Sequence, residues 1–339
     1  AVEVPPLSGI DPDEIADPRA LAAAIRDGAA DIKGLAPKMS VVVDGGGRLR
    51  LSDLLADIRL VAKRHGGGIG WTLLLGGTEA AGGVHAVLSE AEAAPAALAL
   101  LGELASKGPK ARGRDLASGV PLNSAATPPV SPFGLHPLAP GLSAAGIGPA
   151  FGQIDAERLA ALCEEAVALG MTAVKPALDH SLIFFGPPDA CERLIAFADR
   201  NGFVTSGNDP RSAIAACPGR PACASGEVET HALGALAARE CRDLLDGSFK
   251  LHVSGCAKGC AHPQPSPLTL CGTPAGLAWI AGRAADPALA VIDPKDIATA
   301  LGRISALVRT ERRDGEQSAA CLSRLGPDRI SAHLMSGQP

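Results

Sequence analysis

Two glycine-flanked cysteine pairs constrain this chain more than any other feature. Cys217-Pro-Gly-Arg-Pro-Ala-Cys223 has C-x5-C spacing, and Cys256-Ala-Lys-Gly-Cys260 has C-x3-C spacing. Between them lies a stretch patterned as a helix and then a strand, so the chain must fold back to bring the two loops together. Pro218, Gly219, Gly255 and Gly259 supply turns and let backbone approach a bound group closely. Four thiolates arriving from loops suit a cubane [4Fe–4S] cluster, in which each iron takes one thiolate. Structural zinc favours C-x2–4-C knuckles, shorter than the Cys217–Cys223 pair, and unligated buried thiols would need neither the pairing nor the glycines. The expected metal ligands are therefore Cys217, Cys223, Cys256 and Cys260.

The remaining cysteines, Cys163, Cys191, Cys241, Cys271 and Cys321, lie in stretches patterned as helix, strand or tail and read as small apolar fillers. A total of nine is odd, and the N-terminus Ala-Val-Glu-Val-Pro-Pro lacks a basic segment followed by an apolar one, so a secreted disulfide framework is a poor explanation. The expectation is a soluble, cytoplasmic protein. Apolar stretches such as residues 94–101 are too short to span a bilayer. A net charge of −5, with Lys and Arg dispersed, gives no polyanion-binding face, and nucleic acid is not an expected partner.

With 339 residues, 47% of them apolar, the chain can bury more than one core. Residues 1–106 read as an α+β unit: a β-branched run at Val41 to Val43 ending in glycines, a strand near Trp71, and a helix from Ser89 to Ser106. Residues 107–150, rich in Pro, Gly and Ser, read as a connection. Residues 151–205 read as helix, two strands and helix, half of a ferredoxin-like sandwich. Residues 206–312 form the cysteine-bearing α+β unit, with a hairpin around Gly272-Thr-Pro-Ala-Gly276, and the polar stretch 313–339 reads as a fraying tail. Lys38-Met-Ser-Val-Val-Val-Asp-Gly-Gly can be laid on Phe249-Lys-Leu-His-Val-Ser-Gly-Cys. Taken alone, that similarity favours coincidence between two strand–turn patterns over a repeat.

The two pairs, together with Ser254-Gly-Cys-Ala-Lys-Gly-Cys-Ala-His-Pro263, resemble the cluster-binding half of the sulfite and nitrite reductases. Within that superfamily, Ala216-Cys-Pro-Gly219 and Ser8-Gly-Ile-Asp11 make the sequence most similar to the precorrin-3B synthases of aerobic cobalamin biosynthesis, over nearly the whole chain. The resemblance implies an α+β, sulfite/nitrite-reductase-like fold, with a ferredoxin-like half-domain and two related α+β domains around a tetrapyrrole site. Members typically begin with a further ferredoxin-like half carrying a Thr-x-Arg-Gly-Asn type motif. No such motif precedes Ser8, and whether Ala1 is the natural start stays open. In siroheme-containing members the loop matching Ala36-Pro-Lys-Met-Ser40 carries two lysines; here Ser40 replaces the second, which tilts the choice toward the synthases.

The activity so implied is that of an O2-dependent monooxygenase. It would hydroxylate precorrin-3A with γ-lactone closure, using NADH-derived electrons and a further non-haem iron whose ligands the sequence does not identify. The rival readings are a siroheme-dependent sulfite or nitrite reductase and a non-catalytic cluster- or tetrapyrrole-binding subunit. A precorrin carries several carboxylates, so its pocket should offer cations. Lys38, Lys175, His180, Arg211 and Lys258 are the candidates. His252 alternates with Leu251 and Val253 in a strand and can face either core or site, the satisfied core histidine being the favoured reading, and His262 reads as a hydrogen-bonding neighbour of the cluster or an exposed turn residue.

Overall fold

Val41–Asp44 is a run of four buried residues, the pattern of a strand covered on both faces. In the computed structural model, which describes residues 1–118, 120–121 and 130–335, this strand (β2) sits between β1 (Val2–Glu3) and β3 (Ile58–His65). Strands β4 (Gly68–Leu75) and β5 (Gly83–Leu88) complete a sheet in sequence order. Its first two pairings are parallel and its last two antiparallel. A parallel pair needs a crossover, and α1 (Arg19–Ala29) supplies the one between β1 and β2. With α2 (Glu90–Lys107) it covers one face, packing Leu21, Ile25, Ala97 and Leu101 against Val41, Val43, Leu60 and Leu73. The start of α2 is fixed by a capping box, in which Ser89 N–H and Oγ both donate to the Glu92 carboxylate.

Next comes a four-stranded antiparallel sheet of order β6-β7-β9-β8, from β6 (Gly134–Ala139), β7 (Leu142–Ile147), β8 (Ala173–Pro176) and β9 (Leu182–Gly186). Helices α3 (Ala156–Ala168) and α4 (Pro188–Arg200) pack on it through Leu162, Ala166, Cys191 and Leu194. The stretch 107–150 thus contributes two strands. Their Pro and Gly residues conceal an alternation in which His136 and Leu138 are buried while Leu135, Pro137 and Ala139 are exposed. Cys163 is exposed, contrary to its reading as a filler, because it lies one position beyond the buried Leu162 and turns to solvent. Cys191, Cys241, Cys271 and Cys321 are buried.

The third unit repeats the first. Strands β10 (Ile214–Ala216), β11 (Leu251–Ser254), β12 (Ser266–Thr273), β13 (Gly276–Gly282) and β14 (Ala290–Ile292) form a second sheet in sequence order, again with two parallel pairings followed by two antiparallel ones. Its helices are α5 (Thr230–Glu240), α6 (Ile297–Glu311) and α7 (Ser318–Met335). The two strings compared in the sequence fall on β2 and β11, the second strand of each sheet. Coincidence is therefore the wrong reading: Val41 and Val43 face one helical layer as Leu251 and Val253 face the other. The expected fraying tail is also corrected over its described part; residues 336–339 lie outside the described residues. Cys321, Leu322, Leu325, Ile330 and Leu334 of α7 are buried, a spacing hidden by the polar average and by the break at Gly326-Pro327.

Candidate functional site

Adjacent parallel strands point their carboxyl ends the same way, and loops leaving those ends gather at one place. Cys217 directly follows β10 and Cys256 follows β11 by two residues, with Ala216 paired to Val253. Gly255 N–H donates to Cys217 Sγ at 3.1 Å, and Glu227 N–H donates to the Gly255 carbonyl at 2.7 Å. Thr230 Oγ1 donates to the Cys217 carbonyl, anchoring the first loop to α5. A Cβ on Gly255 would stand 3.2 Å from both Gly219 Cα and Gly226 Cα, so only glycine lets the loops meet this closely. Lys258 Nζ donates to Ser225 Oγ at 2.9 Å, joining the loop tips. Cys217 is buried, Cys223 and Cys256 are half-buried and Cys260 is exposed.

Two abutting loops, four thiols and an N–H already directed at sulfur fit a thiolate-bound cluster. Among the described residues, no three His, Cys, Asp or Glu side chains are gathered closely enough to hold a single metal ion. A cubane requires less crowding, since each thiolate binds a different iron.

Below the second loop, a cleft of about 130 Å³ opens between the four-stranded unit and the cysteine unit. Of the five expected substrate cations it gathers two, His180 and Arg211, and adds Lys250, Asp179 and His262. Arg211 spends its donors within the chain, on the Asp209 carboxylate and the Gly202 and Phe203 carbonyls. Lys250 bridges Asp179 at 3.0 Å and the Ser212 carbonyl at 2.7 Å. Asp179 and His180 are the central residues of the β-turn that joins β8 to β9, with φ of 56° and 58° and Ser181 N–H closing on the Leu178 carbonyl. Such turns usually carry Asn-Gly. With Phe151 (φ 60°), these are all the non-glycine residues with positive φ among those described, and all three line this cleft.

The other three cations lie outside that lining. Lys38 is exposed just ahead of β2, and Lys258 is exposed at the loop tip. Lys175 is half-buried; its ammonium donates to the Pro6 carbonyl at 3.0 Å and stands 5.3 Å from the centre of the Phe185 ring. Burial lowers its pKa. Ser40, where siroheme proteins carry a lysine, is held by Asp57, whose carboxylate accepts from Ser40 N–H (3.0 Å) and Oγ (3.3 Å).

No family model matches the chain. A curated relative from Sinorhizobium sp, named precorrin-3B synthase, is 40% identical over an alignment of 354 positions, which takes in 99% of this chain and 77% of the relative. The chain belongs to the precorrin-3B synthase family. Among solved structures, that of the Mycobacterium tuberculosis NirA protein superposes with a TM-score of 0.70 at 20% identity, covering 97% of this chain and 71% of that one. The fold is thus α+β and sulfite/nitrite-reductase-like, and this member of the synthase family is an enzyme.

Sequence reasoning undervalued two residues of this synthase-family chain. Cys271, on β12 opposite Ser254, is a filler in that it packs with Ala278, Ile280 and Ala284, but it also neighbours the candidate ligands. Burial, then the charges of Cys256 and Cys217, push its thiol up to about 11. His252 is fully buried as expected, but neither ring nitrogen has a partner, so it is not the satisfied histidine expected. Burial, then the nearby His262, push its pKa down to about 4. His262 is half-buried, edge-on to His252 with 5.8 Å between ring centroids. Strand alternation could have flagged His252, since Leu251 and Val253 take the core face and leave it on the other.

Proposed function

We propose that the chain is a precorrin-3B synthase of aerobic cobalamin biosynthesis, an O2-dependent monooxygenase that hydroxylates precorrin-3A and closes a γ-lactone. Membership of the synthase family carries the reading: the relationship extends over 99% of the chain, cysteine loops included. In it, Cys217, Cys223, Cys256 and Cys260 hold a [4Fe–4S] cluster, supplied with NADH-derived electrons. When bound, such a cluster supplies one-electron transfer.

The chain's own residues have separable tasks. Gly255 N–H and the glycine contacts hold the loops at the spacing the cluster needs. Lys38, exposed ahead of β2, Lys258, which gives one of its three donors to Ser225 Oγ and keeps two, and His180, on its strained turn over the cleft, are assigned to substrate carboxylates. Arg211 and Lys175 spend donors on the chain itself, so their part is to set the walls. Ser40 is engaged by Asp57 and offers no cation, which suits a neutral hydroxylation site better than one that must bind and protonate sulfite. Because no suitable cluster of ligands occurs among the described residues, no ligand set for a further non-haem iron is proposed.

The test is turnover of precorrin-3A by the cluster-loaded protein with a chemical or enzymatic reductant under ¹⁸O2. The expected result is one labelled oxygen in a lactone product. Extractable siroheme with sulfite or nitrite reduction, and no precorrin turnover, would establish the reductase instead. Binding of precorrin-3A without oxygen-dependent product would establish a non-catalytic subunit.

A further inference from the structure

His252 is wholly buried on β11 with both ring nitrogens unpartnered. A neutral imidazole carries one N–H donor and one bare nitrogen, and buried polar groups in native proteins are almost always hydrogen-bonded, so such an exception calls for an unseen partner. The sheet itself does not need a polar residue here. Val42 occupies the matching place on β2, equally buried and apolar. What differs is the loop beyond the strand. A Cβ on Gly259, the residue before Cys260, would lie 3.5 Å from His252 Cε1, so the imidazole edge reaches the C-x3-C loop with no side chain between. The left-handed conformation of Gly259 (φ 63°) keeps that approach open.

Resting on the reading that the four cysteines hold a cubane cluster, we propose that His252 donates its ring N–H to a sulfur of that cluster. It is a positioning and tuning residue, bound to no iron. A donor directed at cluster sulfur stabilises the reduced, more negative state and raises the reduction potential.

The test uses the full chain, reconstituted anaerobically with ferrous iron and sulfide, as wild type, His252→Leu and His252→Gln. Redox titration followed by EPR reads the potential, and pulsed EPR of protein labelled with ¹⁵N-histidine reads coupling to the ring. Expected are a more negative potential in His252→Leu, most of the shift recovered in His252→Gln, which keeps an N–H, and a nitrogen coupling in the wild type. Equal potentials in loaded wild type and His252→Leu overturn the proposal. So does a wild-type cluster without ¹⁵N coupling, a measurement that needs no variant to fold. A wild-type chain that takes up no cubane overturns the underlying reading and the proposal with it, an outcome distinct from a loaded cluster indifferent to His252.

Discussion

The first and third units share strand order, strand direction and helix-covered face, yet the carboxyl ends of their first two strands are finished differently. In the third unit Gly255 accepts from Glu227 N–H; in the first, Gly45 accepts from Ile15 N–H at 2.8 Å, at the corresponding point. Aligned on β2 and β11, Pro5 stands where the third unit has Cys217, and Gly46 where it has Cys256. In place of thiols the first unit uses a polar stitch. Asp11 accepts from Arg48 N–H (2.6 Å) and Nε (2.9 Å), while Asp44 accepts from Gly46 and Leu51 N–H groups. The Ser8-Gly-Ile-Asp11 motif thus closes its loop with the protein's own groups. One topology serves two ends: a loop that satisfies itself, and a loop whose sulfur and imidazole groups are left for something else.

The sharpest break in that comparison comes from the thiols. Cys217→Ser should abolish the cubane absorption and the reduced-state EPR signal of the reconstituted chain, because one iron loses its preferred ligand. Next are paired glycine variants. Gly255→Ala forces a Cβ into Gly219 and Gly226, and should cost about 1–3 kcal/mol in chemical denaturation together with most iron uptake. Gly45→Ala, whose Cβ would meet the Ala16 carbonyl oxygen more closely still, should cost at least as much while iron uptake per folded chain stays at the wild-type level.

Smaller again is Asp11→Ala. Removing the buried Asp11 carboxylate leaves Arg48 N–H unpaired and its guanidinium with the exposed Asp13 as its carboxylate partner, which should destabilise the apo chain by about 1–3 kcal/mol, read as a lower denaturation midpoint, with the cluster signature unchanged. The smallest effect is acid sensitivity. His252 has a folded pKa of about 4 against an ordinary 6.5, so the unfolded state takes up its proton first. Stability of the apo chain should fall as pH drops from 6.5 toward 4 and be unaffected above that window. His252→Val, which copies Val42 of the first unit, should make that part of the pH profile shallower, with His136, His231 and His262, each lowered by burial, keeping a slope of the same sign.

Much of this contrast is legible in the amino-acid sequence. The cysteine pairs, their glycines and the strand ahead of the second pair announce a loop at a strand end, and the β-branched run at Val41 to Val43 announces a buried strand; the short strand ahead of Cys217 is not legible. The equivalence of the two sheets is not legible, because a strand of four residues repeats only its burial phase, which many strings satisfy. The strand at 134–139 and the helix at 318–335 are hidden by polar and Gly/Pro averages, since burial there follows alternate or spaced residues. Arg211 reads as a ligand cation; its engagement by Asp209 two residues earlier depends on a turn geometry that composition does not reveal.

The contrast between the two units rests on whether the third, alone of the two, closes around an iron–sulfur cluster. Iron and sulfide analysis with Mössbauer spectroscopy on the anaerobically reconstituted chain decides it. The expected result is about four irons and four acid-labile sulfides per chain in a single cubane environment, lost in Cys217→Ser and kept in Gly45→Ala. Zinc in place of iron, or a full cubane retained by Cys217→Ser, would contradict it.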